Sequence, residues 1–145
     1  MNPLEDEGFN LKKRTIAAIL CVIMIACSMA TVAYARASNW LSTYNITVGD
    51  RGNGTIRVTA SVDGTYNNLT RIGFPTVVLY EKINGVWSAV RTNNSIYAYN
   101  TGGHAYQYNF TGVVGREYRA YASFTAEDST GGDMRTAYSG SVTLK

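Results

Sequence analysis

Histidine occurs once in the 145 residues, as His104, and cysteine twice, as Cys21 and Cys27. So few soft ligands exclude most zinc sites, and a lone histidine leaves little material for a catalytic triad. No Gly-x-Ser-x-Gly, His-Glu-x-x-His or paired Cys–His element occurs after residue 37, and these carry most recognisable nucleophilic and metal-assisted hydrolysis. Charge is sparse as well. Thirteen Lys+Arg stand against ten Asp+Glu, a net +3 that is scattered along the chain. That excludes the clustered basic surface a nucleic acid would need. Only two prolines are present. What remains is hydrophobic at 46% and charged at 16%, ordinary chemistry for a chain with a packed core.

Residues 1–37 differ from the rest. Lys12, Lys13 and Arg14 are followed by an uncharged stretch, Thr15 to Ala33, with Ile16, Ile19, Leu20, Val22, Ile23 and Met24 at its centre. A cationic start, an apolar middle and small residues at the end are the order of a secretory signal. Ala33-Tyr34-Ala35 would release a chain beginning at Arg36, and Ala35-Arg36-Ala37 one beginning at Ser38. Two alternatives stay open. Ile23 to Ser28 resembles a lipobox that would put lipid on Cys27. The apolar run is also just long enough to span a bilayer uncleaved, as an anchor helix. Each route delivers residues 38–145 to the outside, secreted or tethered to the outer face of the cell membrane. Membrane contact is expected only through the N-terminal segment. Both cysteines lie within that segment, so the exported domain has no disulfide and must rely on its core. Five Asn-x-Ser/Thr sequences begin at Asn45, Asn53, Asn68, Asn93 and Asn109. In a bacterial chain they are what Asn- and Thr-rich turns produce.

After Ser38 the apolar period is two. Ile56, Val58, Ala60 and Val62 alternate with Thr55, Arg57, Thr59 and Ser61. Tyr118, Ala120, Ala122 and Phe124 alternate with Arg119, Tyr121, Ser123 and Thr125. One buried and one wet face is the mark of antiparallel sheet. Turn clusters at 49–54, 102–103 and 129–133 separate the runs. The spacing predicts seven strands, at about 42–48, 55–63, 75–83, 86–92, 95–100, 104–112 and 116–126, with an eighth near 135–144. Strands at this spacing predict an all-β, antiparallel sandwich. Asn84-Gly85 suits a two-residue type I′ turn. Its register sets Ile83 opposite Val86, Lys82 opposite Trp87, and Tyr80 opposite Ala89. Val77, Leu79, Ile83, Val86 and Val90 then face the core. Glu81 falls on that face too, which fits only a place at the rim. The other face carries Val78, Tyr80, Lys82, Trp87 and Arg91.

Gly115-Arg116-Glu117-Tyr118-Arg119-Ala120-Tyr121-Ala122 resembles the sixth strand of fibronectin type III and related immunoglobulin-like sandwiches. The resemblance implies that the Tyr118 hydroxyl bonds back to the corner before it. Ala126 to Gly132, with Tyr138-Ser139, is similar to the last hairpin of such domains. The Trp usual in the second strand is missing, with Val58 and Ala60 there instead, and the Pro-rich opening strand is absent. Residues 44–140 also resemble a family of small secreted proteins of unknown function from Gram-positive, clostridial-type bacteria. The shared elements are Thr70-Arg71-Ile72-Gly73, Val78-Leu79-Tyr80-Glu81-Lys82 before Asn84-Gly85-Val86-Trp87, the Gly115-to-Ala120 strand, and Thr130-Gly131-Gly132-Asp133. That resemblance implies export and brings no activity.

The candidate chemistry is therefore contact rather than catalysis. His104, beside Gly102-Gly103, reads as a surface histidine at a turn. Glu127, Asp128 and Asp133 crowd one loop, but a seven-residue loop supplies few of the six to eight oxygens that calcium takes. No cofactor or metal is expected. Aromatics are the informative surplus, with 11 Tyr and 2 Trp. Rigid rings with a polar tip suit contact with proteins and with the flat faces of sugars. The expected ligand face is Tyr80, Lys82, Trp87 and Arg91, extended by Tyr97 and Tyr99. The expected role is an exported non-catalytic module binding carbohydrate or a surface protein. The alternatives are a self-assembling or protein-partnered surface component working through edge strands such as 86–92 or 95–100, and a carbohydrate-active enzyme.

Overall fold

Alternation becomes sheet wherever the partner strand exists to bury one side. The structure, a computed structural model, describes Ser38–Lys145; residues 1–37, with the expected signal and its cleavage, lipid and anchor alternatives, lie outside the described residues. Eight strands follow in order: β1 (Leu41–Asp50), β2 (Thr55–Gly64), β3 (Leu69–Ile83), β4 (Val86–Thr101), β5 (Gly103–Thr111), β6 (Glu117–Asp128), β7 (Gly131–Tyr138) and β8 (Val142–Thr143). They form two antiparallel sheets. One runs β1-β2-β5, the other β4-β3-β6-β7, with the short β8 beside β6. The described residues contain no helix.

The inner sides of the sheets make one core. Ile46, Ile56, Val58, Ala60 and Val62 come from the first sheet. Ile72, Phe74, Val77, Leu79, Tyr118, Ala120, Ala122, Phe124 and Ala126 come from the second. Both alternations read from the sequence hold here. Phe74 and Phe124 meet edge to face at 5.7 Å, and each is fully buried, which stabilises by about 2–3 kcal/mol per ring. Tyr118 is fully buried yet keeps its polar tip satisfied, because its hydroxyl accepts a 2.8 Å bond from the Val113 amide in the preceding corner. Tyr118→Phe would leave that amide unpaired. It is expected to cost about 1–2 kcal/mol, read as a fall in the urea midpoint at unchanged slope; a shift under about 0.5 kcal/mol would mean water replaces the hydroxyl.

Several expectations are corrected. The runs at 86–92 and 95–100 are one strand, since Asn93 and Asn94 keep pairing with Val77 and Thr76. The run near 135–144 is two elements, β7 and β8. Ile83 and Val86 pair as expected but are 37% and 65% exposed. They stand at the hairpin tip, past Glu81–Tyr118, where β3 stops pairing with β6. Glu81 is buried and ion-paired with the half-exposed Arg116, which explains a carboxylate on the core side at the rim. His104 lies inside β5 and turns inward, its ring 5.6 Å from that of Phe74.

β4 is broken in its regularity. Val90 is an extra residue, because Leu79 pairs with Arg91 while Tyr80 pairs with Ala89. Ser95 has φ of 58° and stands opposite Pro75, which has no N–H to offer it. Asn100 has φ of 55°.

Candidate binding face

The register decides which side chains share a surface. On the outer side of the five-stranded sheet, Trp87 lies opposite Lys82, Ala89 opposite Tyr80, and Thr92 opposite Val78. Across β6, Tyr80 meets Arg119 and Val78 meets Tyr121; on β7, Tyr121 meets Tyr138. Towards the other end, Tyr97 and Tyr99 lie opposite Gly73 and Arg71, with Thr125 and Glu127 beside them on β6.

The aromatics that point outward from strands therefore fall on this one face; the exposed Tyr44, on the inner side of β1, and Tyr66, between β2 and β3, lie elsewhere. Tyr80, Trp87, Tyr97, Tyr99, Tyr121 and Tyr138 all belong to it. The outer side of β1-β2-β5 carries small polar residues in their place, among them Thr47, Thr59, Ser61, Gln107 and Asn109. Tyr106, Tyr108 and Phe110 point inward from β5 and pack against the core. Burial, and then the neighbouring Tyr106, pushes the Tyr108 hydroxyl up to about 12, so it stays neutral at any physiological pH.

Two clusters stand out. The first centres on Arg119, whose guanidinium lies 4.3 Å from the Trp87 ring, 4.8 Å from Tyr138 and 5.8 Å from Tyr80. Trp87 starts on β4, two strands from β6 and so about 10 Å away. Its indole must therefore lie across β3 to reach Arg119. Lys82 is 5.5 Å from the same indole and bonds Glu117 at 2.9 Å. Hydrogen bonds from Ser141 and then from Lys82 hold the Glu117 carboxyl below its usual range. Tyr121 and Tyr138 pack at 5.0 Å. The second cluster sits on Arg71. Its guanidinium grips both oxygens of Glu127, at 2.8 and 3.0 Å, and covers the Tyr97 ring at 4.7 Å. Pro75, Tyr97, Thr125, Gly132 and Met134 line a shallow hollow of ≈ 640 Å³ beside it.

Of the residues expected from sequence, Tyr80, Lys82 and Trp87 come together, and Tyr97 and Tyr99 share their face at the far end. Arg91 does not join them. The Val90 bulge reverses the alternation, so Arg91 pairs with the core residue Leu79 and donates to Asn93 at 3.2 Å. Arg119, Tyr138 and Arg71 belong to the face and were not among the expected ligand residues. The alternation in β6 already turns Arg119 outward; what sequence could not supply was that β6 lies beside β3. The three loop carboxylates point to separate partners. Glu127 holds Arg71, Asp133 holds Arg135 at 2.6 Å, and Asp128 caps its own turn through Thr130.

No family model matches the chain, and no curated protein matches it. Among solved structures it is similar to a protein from Archaeoglobus fulgidus, at 12% identity over 72% of this chain and 98% of that one, with a TM-score of 0.38, a likeness too distant to bear on function.

Proposed function

We propose that this chain is an exported, non-catalytic binding module that holds its ligand on the outer face of the β4-β3-β6-β7 sheet. The observation that carries the reading is the asymmetry of the two outer surfaces, one crowded with rings beside three cations and the other polar, with Arg57 as its long cation and no ring pointing outward from its strands. Tyrosine alone is a good strand residue and needs no ligand, but a preference for strands would put outward-pointing tyrosines on both sheets, and those of β1 and β5 point inward. Contiguous exposed aromatic surface marks contact sites far more often than chance placement does. Export rests on the cationic, apolar and small-residue order of residues 12–37.

The fold type we favour is fibronectin type III-like. Its support is the grouping of first, second and fifth strands in one sheet and fourth, third, sixth and seventh in the other, together with the Tyr118–Val113 corner bond. Membership among small secreted clostridial-type proteins is a proposal on the shared motifs alone.

The test is retention of the purified protein on cell wall and on insoluble polysaccharides, beside Trp87→Ala. A central aromatic contact contributes enough that its loss is expected to weaken binding about thirtyfold, which empties the pulled-down fraction. Retention unchanged in the variant would reject the face, and none by the parent protein would reject carbohydrate as its ligand and leave a protein partner or self-assembly.

A further inference from the structure

Three cations stand on this face, and two of them are matched. Glu127 takes Arg71 with both oxygens, and Glu117 takes Lys82. Arg119 has no carboxylate bonded to it, although it is close enough to Glu117 to help hold that carboxyl low. Rings frame it on three sides, its Nε is shut off from water without an acceptor, and no side-chain oxygen among the described residues bonds its terminal nitrogens. Glu117, two positions away on the same side of β6, is committed to Lys82 and Ser141.

A guanidinium is a flat fork of donors that stays charged at any pH of interest and accepts a carboxylate through two parallel bonds. Stacking on Trp87 and Tyr138 fixes the plane of that fork before any ligand arrives, so less freedom is lost on binding. We infer that Arg119 is the anion-recognising centre of the face, and that its ligand is a carboxylate-bearing sugar, a uronic-acid unit within a longer polysaccharide. The inference rests on the binding-face reading above and adds the ligand class to it.

Two features favour a sugar over an acidic peptide. A sugar ring has one apolar face for an indole or phenol and a rim of hydroxyls. Next to the Arg119 cluster the sheet offers exposed Thr92, Asn94 and Thr136, which can meet such hydroxyls. A peptide would need a regular free sheet edge or pockets for alternate side chains; the β4 edge beside the cluster is interrupted at Val90, Ser95 and Asn100, and Arg119 itself stands on an inner strand.

The experiment compares binding of polygalacturonate and of the same polymer fully methyl-esterified, which keeps the sugar and removes the charge. The protein is expected to bind the free acid about tenfold or more tighter, the effect of a charge-assisted pair. Arg119→Gln should erase that preference. Arg119→Lys, with charge but no fork, should restore only part. Near-UV circular dichroism checks that each variant keeps its fold, and the comparison on the parent protein stands without them. Equal affinity for acid and ester, or a preference that survives Arg119→Gln, overturns the inference. If equal affinity is still lost in Trp87→Ala, the binding face stands and only the anion centre falls. Failure to bind either polymer removes the acidic sugar, and polyglutamate bound as tightly as polygalacturonate replaces it with a simple polyanion.

Discussion

Gly73→Ala is expected to destabilise the domain by about 3–5 kcal/mol, from backbone strain and overpacking together. Gly73 has φ of 154°, which side chains rarely adopt. A Cβ there would stand 2.2 Å from the Ile96 carbonyl oxygen and 2.9 Å from Tyr97 Cα. Both are backbone atoms of β4, so no rotamer change relieves the clash. The strands themselves would have to part, and β4 carries Tyr97 and Tyr99. Urea unfolding gives the stability change, and a loss under about 1 kcal/mol would show that the β3–β4 pairing is softer than its register implies. The same substitution is expected to disturb the Arg71–Tyr97 cluster more than the Arg119 cluster, which lies about 20 Å along the strands from Gly73's neighbour Thr125.

Phe124→Ala is expected to cost about 3–5 kcal/mol, the usual range for deleting a buried ring. Phe124 is fully buried, with Phe74 at 5.7 Å and the half-exposed Tyr44 at 5.1 Å. Its neighbours along the inner side of β6 are Ala122 and Ala126, too small to reach into the space. For a domain of this size the loss should lower the midpoint of calorimetric unfolding by about 15 °C or more. A drop of only a few degrees would mean that Tyr44 swings in from the rim and refills the site. Because Phe124 points away from the outer face, ligand retention below the new midpoint should be unchanged. That separates a stability variant from a binding variant.

Much of this was legible in the sequence, and the reasons for success and failure are local. Asn84-Gly85 fixed the hairpin register to the residue, since a two-residue turn leaves no slack in the pairing. The corner bond of Tyr118 is what the resemblance of Gly115-to-Ala122 to the sixth strand of fibronectin type III sandwiches implies, and the Val113 amide supplies it. The misplacements share another origin. Arg91 falls on the other side because the bulge at Val90 inverts the residues after it as far as Asn94, and the irregularity at Ser95 then restores the alternation that turns Tyr97 and Tyr99 outward. Ile83 and Val86 are apolar and correctly paired, yet lie past the end of the opposing strands, and no local pattern records where another strand stops. Arg119 and Tyr138 escaped notice because a face assembled from β4, β3, β6 and β7 draws on residues some fifty positions apart.

The interruptions in β4 bear on how this chain behaves when crowded. β4 is a sheet edge of sixteen residues, long enough in principle to seed fibres. Cross-β stacking needs six or seven consecutive residues of regular free backbone. The bulge at Val90 and the left-handed residues Ser95 and Asn100 cut that edge into stretches of four. Each break twists the backbone out of register with any strand that tries to continue it. Residues 38–145 hold no cysteine and so no covalent guard against aggregation; irregular backbone along the exposed edge takes that role, while the regular, flat part of the sheet is kept for β3 and β6.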